Sequence, residues 1–203
     1  SVPTLDVYGS VIYVVYQHIY QGALVFADAI FANSAKTISI LQKEGLHIHL
    51  LSGDRQEPVS QLAKTLGITH YYAQLLPEDK LNQVQRIAQQ GKTIFVGDGL
   101  NDLPALATAH MGIAMGKGVS GALETADAVL FHNDPFTLVK GYRLAKQTQW
   151  IVWQNIIGIL AVKLYFLSMG VVGHANIWQA VFADTGLTIL AVLNAMRIFG
   201  KGK

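Results

Sequence analysis

Cysteine is absent from the chain, so neither a disulfide framework nor a thiolate metal cluster can form within these 203 residues. Charge is scarce as well: Asp, Glu, Lys and Arg make up 14% of the sequence, against about 25% in ordinary soluble domains. The net charge of +2 is small. No run of Lys or Arg and no interleaving of basic with aromatic residues accompanies it, which excludes a nucleic-acid partner. Internal repeats, low-complexity tracts and Pro/Gly/Ser linkers are lacking too. The first residue is Ser, and no signal peptide precedes the first strand-like segment, so the chain is expected to be a fragment or a processed product, with a fragment favoured.

The shortage of charge is uneven. Residues 150–199 hold only Lys163, Asp184 and Arg197. Within that region, residues 151–173 and 177–199 are long apolar runs, and at ~1.5 Å per residue each can cross a ~30 Å hydrocarbon core. The link between them, Gly173-His174-Ala175-Asn176, carries no Lys or Arg. Basic residues flank the pair instead: Lys140, Arg143 and Lys146 before it, Arg197, Lys201 and Lys203 after it. The positive-inside rule therefore predicts an integral membrane hairpin with both ends in the cytoplasm. Trp150 and Trp153 suit the inner interface and Trp178 the outer one.

Lys163 lies 11 residues before His174 and Asp184 lies 10 after it, which puts both at about 15–17 Å depth on antiparallel helices. Opposite charges at matching depth can neutralise each other as a structural pair or frame a cation. Intramembrane ionisable residues are functional by default, so transport is the reading preferred. Asn155 and Asn194 also match in depth and predict an interhelical hydrogen bond.

Ahead of residue 150 the pattern changes. Ser10 to Gln17 and Gly22 to Ala27 read as strands joined by a short turn. Asn33 to Glu44, Glu57 to Leu66 and the segment from Pro77 read as helices stopped by Gly45, Gly67 and Gly91. Between and after them lie strand-like runs at Leu46 to Leu51, Lys92 to Val96, Met111 to Met115 and Ala128 to Phe131. This alternation predicts an α/β fold with a parallel sheet covered by helices, followed by the all-α hairpin. Ligands of such sheets bind beyond the C-terminal strand ends, where Ser52-Gly53-Asp54 and Gly97-Asp98-Gly99 fall. A carboxylate on a glycine turn after a buried strand suits Mg²⁺, a hard cation that takes oxygen ligands. Asn101 and Asp102 open the next helix, where they can cap it and face the same site. His47 and His49 alternate on one strand and read as surface or sheet-packing residues, and His174 as part of a polar loop.

Taken together, these motifs resemble the phosphorylation domain of P-type ATPases, within the haloacid-dehalogenase-like superfamily. Ser52-Gly53-Asp54 matches the TGD loop with Ser for Thr. Pro77 with Asp79-Lys80 matches P-x-D-K, Gly97 to Pro104 matches GDGxNDxP, and Gly112 to Gly116 matches GxAMG. The resemblance implies that Asp98, with Asp102, binds the catalytic Mg²⁺ and that Lys80 neutralises phosphoryl oxygens. It implies further that Ser52 and Asn101 donate hydrogen bonds to the phosphoryl group, and that Gly53, Asp54 and Asp102 shape the site.

Ala183-Asp184-Thr185-Gly186 looks like the D-x-G element of the zinc/cadmium/lead group, and Lys163 like that group's intramembrane lysine. Asp184 would then be a ligand of transported Zn²⁺, Cd²⁺ or Pb²⁺, with Lys163 its counter-charge. The family nucleophile, the Asp of DKTGT, has no counterpart: Asp28-Ala29-Ile30-Phe31 lacks the pattern and has Phe where the family has Arg. The implied arrangement is a nucleotide-binding remnant at 1–18, an incomplete phosphorylation domain at 19–149, and the hairpin with a cytoplasmic tail at 150–203. The implied protein is an ATP-driven metal exporter, its implied partners being its own upstream domains, ATP and the lipid bilayer of a bacterial plasma membrane. A membrane-anchored phosphatase and a catalytically dead regulator are the alternatives.

Overall fold

The computed structural model describes residues 10–26, 30–97, 100–116, 124–131, 134–173, 176, 178 and 181–198. Asp28, Asp98, His174, Lys201 and Lys203, each singled out above, lie outside that set. The chain divides into two compact units, Ser1–Thr137 and Leu138–Lys203.

The first unit begins with an antiparallel hairpin, β1 (Ser10–Tyr16) and β2 (Ile19–Phe26). Gln17 and His18 both adopt left-handed backbone, with φ of 47° and 62°, the geometry that a two-residue turn needs to match strand twist. The second strand therefore starts earlier than its composition suggests. Neither turn residue is Gly or Asn, so the usual sequence signal is missing. A bulge between Val14 and Val15 absorbs one extra residue opposite them.

Beyond the hairpin, helices and parallel strands alternate: α1 (Ser34–Lys43), β3 (His49–Leu51), α2 (Gln56–Leu66), β4 (His70–Tyr72), α3 (Pro77–Gln90) and β5 (Ile94–Gly97). They are followed by α4 (Leu103–Thr108), β6 (Met111–Met115) and β7 (Ala128–Leu130). Gly67 stops α2 in left-handed backbone, φ 69°, where its N–H reaches the Ala63 and Lys64 carbonyls. The parallel strands form two groups, β3-β4 and β5-β6-β7, and among the described residues no ladder joins β3 to β5.

Apolar packing fixes each group. Val59 and Ala63 of α2 are buried along with Ile68, and the Tyr71 hydroxyl meets Ser60 Oγ at 3.3 Å. Leu106 and Ala114 are sealed beneath Phe95, Leu103, Ala126 and Val129, which seats α4 on the β5-β6-β7 group. The backbone of Gly112 in β6 is clamped from both sides by Asp127: its N–H donates to Asp127 Oδ2 at 2.8 Å, and its carbonyl accepts from Asp127 N at 2.9 Å.

The paired histidines behave as packing groups. His49 of β3 stacks on His70 of β4 with ring centroids 5.0 Å apart, and Tyr72 lies parallel at 6.3 Å. Burial first, then the neighbouring His70 and His47, holds the His49 imidazole below its ordinary value.

The second unit is helical. A single helix, α5 (Phe136–Val171), runs 36 residues without a break. Its apolar stretch is long enough to cross a membrane and is scarcely buried. Of the second predicted span the structure describes a π-helical turn, Phe182–Gly186, and α6 (Leu187–Met196). Asn194 Nδ2 donates to Asn155 Oδ1 at 2.8 Å, and Asn155 Nδ2 to the Ala191 carbonyl at 3.1 Å, the interhelical bond that equal depth requires.

Two outcomes are expected from this packing. Leu106→Ala, which removes a side chain only 1% exposed, should cost about 2–5 kcal/mol in urea denaturation. Acid should also destabilise the fold through His49. The unfolded imidazole takes up its proton near pH 6.5 and the folded one only at lower pH, so stability is complete above that value and falls as pH drops through it. His49→Gln should flatten the pH dependence of the melting temperature between about pH 7.5 and 5.5; an unchanged slope would exclude His49 as the titrating group.

Candidate active site

Three segments of the first unit bring polar groups to strand ends. The loop after β3 is the first. Ser52 N–H donates to the Tyr72 carbonyl at 2.9 Å and Ser52 O accepts from Leu75 N at 3.0 Å, so the backbone pairing continues past the end of the strand. The Ser52 hydroxyl donates to Asp54 Oδ2 at 2.8 Å and accepts from Asp54 N at 3.2 Å, closing a local turn. Gly53 sits where a β-carbon would be 3.3 Å from the Leu75 carbonyl.

The second segment is the start of α3. Pro77 occupies the first turn, where its missing N–H costs nothing, and the Asp79 carboxylate accepts from Leu76 N at 3.1 Å. This N-terminal turn aims Lys80 at the third segment, the turn after β5. Lys80 Nζ lies 2.9 Å from Asp102 Oδ1, and both side chains are largely withdrawn from solvent, 18% and 14% exposed.

Asp102 stands at the N-cap position of α4, but its carboxylate makes no capping bond. The capping role expected for it is therefore corrected: Lys80 takes the carboxylate instead, in a contact with charge on both partners. The other oxygen explains Gly97, whose β-carbon would stand 2.8 Å from Asp102 Oδ2. Any side chain at 97 pushes the carboxylate away from Lys80. Asn101 is exposed on the 3₁₀ turn Leu100–Asp102.

The structure thus joins Lys80 to Asp102 and Ser52 to Asp54. Among the described residues no hydrogen bond or ion pair links the two groups. The Lys80–Asp102 partnership spans 22 positions and was missed by sequence reasoning; the signal available was a glycine immediately before an acidic turn. Among the described residues, the side chains at these strand ends supply carboxylate and hydroxyl oxygens, the Asn101 amide and the Lys80 ammonium, a set that fits Mg²⁺ and not a softer metal.

In the second unit, Lys163 Nζ lies 3.5 Å from Asp184 Oδ1, with exposures of 51% and 83%. Among the described residues no cluster of three or more His, Cys, Asp or Glu could enclose a metal. Asp184 can therefore supply one ligand of a site, not the whole of it.

The sequence profile of the haloacid dehalogenase-like hydrolases matches residues 2–110. The chain belongs to that family. It is 43% identical over 196 residues to the cadmium, zinc and cobalt-transporting ATPase of Bacillus subtilis (strain 168), covering 94% of this chain and 28% of that protein. It is 41% identical over 177 residues to the zinc/cadmium/lead-transporting P-type ATPase of Escherichia coli (strain K12), with 87% and 24% covered. A crystal structure of a zinc-transporting PIB-type ATPase in an E2·Pi state superposes with a TM-score of 0.85 at 40% identity, over 93% of this chain and 31% of that one. The chain thus spans less than a third of the length of these relatives, and in sequence and fold it matches a portion of a heavy-metal P-type ATPase.

The site's geometry sets a stability expectation. Asp102→Ala leaves the Lys80 ammonium without its partner and should cost about 1.5–3 kcal/mol, and Gly97→Ala about 1–3 kcal/mol through the displaced carboxylate. Urea titrations of the two variants and of their combination should show non-additive losses, because both act on one contact. Full additivity would show that Gly97 and Asp102 act separately.

Proposed function

We propose that this chain forms the phosphoryl-handling and metal-releasing part of an ATP-driven pump that exports divalent heavy-metal cations across a membrane. The observation that carries this reading is the Lys163–Asp184 pair, with Lys163 on a helix long and apolar enough to span a bilayer, in a chain whose other unit pairs Lys80 with Asp102 and Ser52 with Asp54 at parallel strand ends. An intramembrane charge costs about 2.5–3.5 kcal/mol on insertion scales and is retained for a function.

In this reading residues 1–18 close a nucleotide-binding domain, 19–149 form the phosphorylation domain, and 150–203 form a membrane hairpin with both ends in the cytoplasm. Asp98 and Asp102 hold Mg²⁺, which when bound supplies charge neutralisation and orientation to the phosphoryl group. Lys80 sets a positive charge beside the transferring oxygens and is itself positioned by Asp102. Ser52 turns its hydroxyl from Asp54 toward a phosphoryl oxygen, Gly53 and Asp54 shape that loop, and Asn101 donates from the opposite strand end. The aspartate that takes the phosphoryl group belongs to a part of the polypeptide outside this sequence. Among the described residues β3 pairs only with β4 and β5 only with β6, so each strand has one edge free to pair with a strand carrying that aspartate.

In the second unit Asp184 ligates the transported cation. Without metal, Lys163 neutralises the carboxylate; with metal, the two positive charges repel and the ammonium withdraws. Zn²⁺, Cd²⁺ and Pb²⁺ are the cargo class. A carboxylate accepts Zn²⁺ without excluding Cd²⁺ or Pb²⁺.

ATP hydrolysis by the full-length gene product in membranes tests the reading. Zn²⁺ or Cd²⁺ should stimulate it, and both Asp98→Ala and Asp184→Ala should lower the stimulated rate by about 10²-fold or more. Full stimulation in Asp184→Ala would reduce the Lys163–Asp184 pair to a structural contact. A full-length product without metal-dependent hydrolysis would replace the pump with a regulatory protein.

A further inference from the structure

Asp184 does not ride on an ordinary α-helix. Residues Phe182–Gly186 are wound as a π-helix, in which Leu187 N–H bonds the Phe182 carbonyl five residues back. Such turns are rare, appear mostly as single insertions within α-helices and frequently mark functional sites, and contacts that bridge one across its width steady its geometry. Two contacts do so here.

The first is between Phe182 and Gly186. A β-carbon on Gly186 would stand 2.8 Å from Phe182 Cδ2, 3.0 Å from Cε2 and 3.3 Å from Cγ. The Phe182 side chain therefore packs close against the bare α-carbon of Gly186, a contact that joins the first residue of the turn to its last. The second contact is the Thr188 hydroxyl, which donates to the Asp184 carbonyl at 2.7 Å. Asp184 itself is 83% exposed, and the ion pair it makes is with Lys163 at 3.5 Å. Its direction is thus set by the backbone beneath it and not by a pocket around it.

We propose that Phe182 is a positioning residue for Asp184: its ring, seated on Gly186, holds the π-turn that aims the carboxylate at the cation path. The inference rests on Asp184 being a ligand of the transported metal, and it adds a device which that role alone does not require. Phe182 offers the metal no ligand atom. It acts only through the backbone, as outer groups act on ligands at other metal sites.

Cd²⁺ affinity of the detergent-solubilised full-length product, measured by competition with a chromogenic chelator, tests this. Phe182→Ala removes the ring and Gly186→Ala displaces it, and each should weaken binding by about tenfold, the range seen when supporting groups around metal ligands are lost. Phe182→Tyr keeps the ring and should retain affinity within about twofold. The Phe182→Ala/Gly186→Ala double variant should be no weaker than the worse single one, since both break the same contact. Mg²⁺-dependent phosphorylation by inorganic phosphate should stay at the wild-type level in every variant.

Unchanged affinity in Phe182→Ala, with binding lost in Asp184→Asn, would overturn the inference and leave the metal site standing. Unchanged affinity in Asp184→Asn would overturn the site and the inference together. Loss of phosphorylation along with affinity would make Phe182 a general folding residue and also overturn the inference.

Discussion

The contact on which the first unit's site depends is the 2.9 Å pair between Lys80 and Asp102. It joins the first turn of α3 to the turn that follows β5, elements that the chain reaches 22 residues apart. Everything near it is arranged to permit it. Pro77 and Asp79 start α3 at the position that aims Lys80, Gly97 leaves space for the carboxylate, and Leu106 with Ala114 anchors α4 and β6 behind the turn. Since each charge is mostly withdrawn from water, removing either one leaves the other uncompensated. The ammonium is thereby held in place before any ligand arrives, the kind of preorganisation from which electrostatic stabilisation draws its strength.

The second unit follows the opposite rule. Its charged pair is exposed rather than enclosed, and its rigidity comes from neutral amides. Asn155 and Asn194 bond each other and the Ala191 carbonyl, and Arg197 Nη1 donates to Asn194 Oδ1 at 3.0 Å. That polar chain fixes the two helices against one another through directional hydrogen bonds rather than through apolar contact. The register is thus set without engaging Lys163 or Asp184, which stay free to change partners.

Much of this was legible in the residues. Strand–helix alternation, the glycine stops and the acidic turns indicated an α/β fold with a site at the strand ends, and the bounds of α2, α3 and β6 fall within a residue or so of their patterns. Matching depth alone identified Lys163 with Asp184 and Asn155 with Asn194. What escaped has physical causes. A salt bridge between residues distant in sequence leaves no periodic trace, so nothing in the pattern pairs Lys80 with Asp102. The hairpin turn at Gln17–His18 uses residues that rarely take positive φ. The π-turn at Phe182–Gly186 breaks the very periodicity by which helices are recognised, and Asp98 lies outside the described residues.

The unbroken length of α5 has a mechanical meaning. At ~1.5 Å per residue its 36 residues make a rod of about 54 Å, against ~30 Å of hydrocarbon. Were its apolar stretch to cross a bilayer, some sixteen residues' worth of helix, roughly the stretch that bears Lys140, Arg143 and Lys146, would lie outside the apolar layer. Its first turn is held by Asp134, which accepts from Phe136 N at 3.1 Å and from Asn33 Nδ2, at the N-cap of α1, at 3.0 Å. A helix without a proline or a glycine pair has no joint in which an axial displacement is lost.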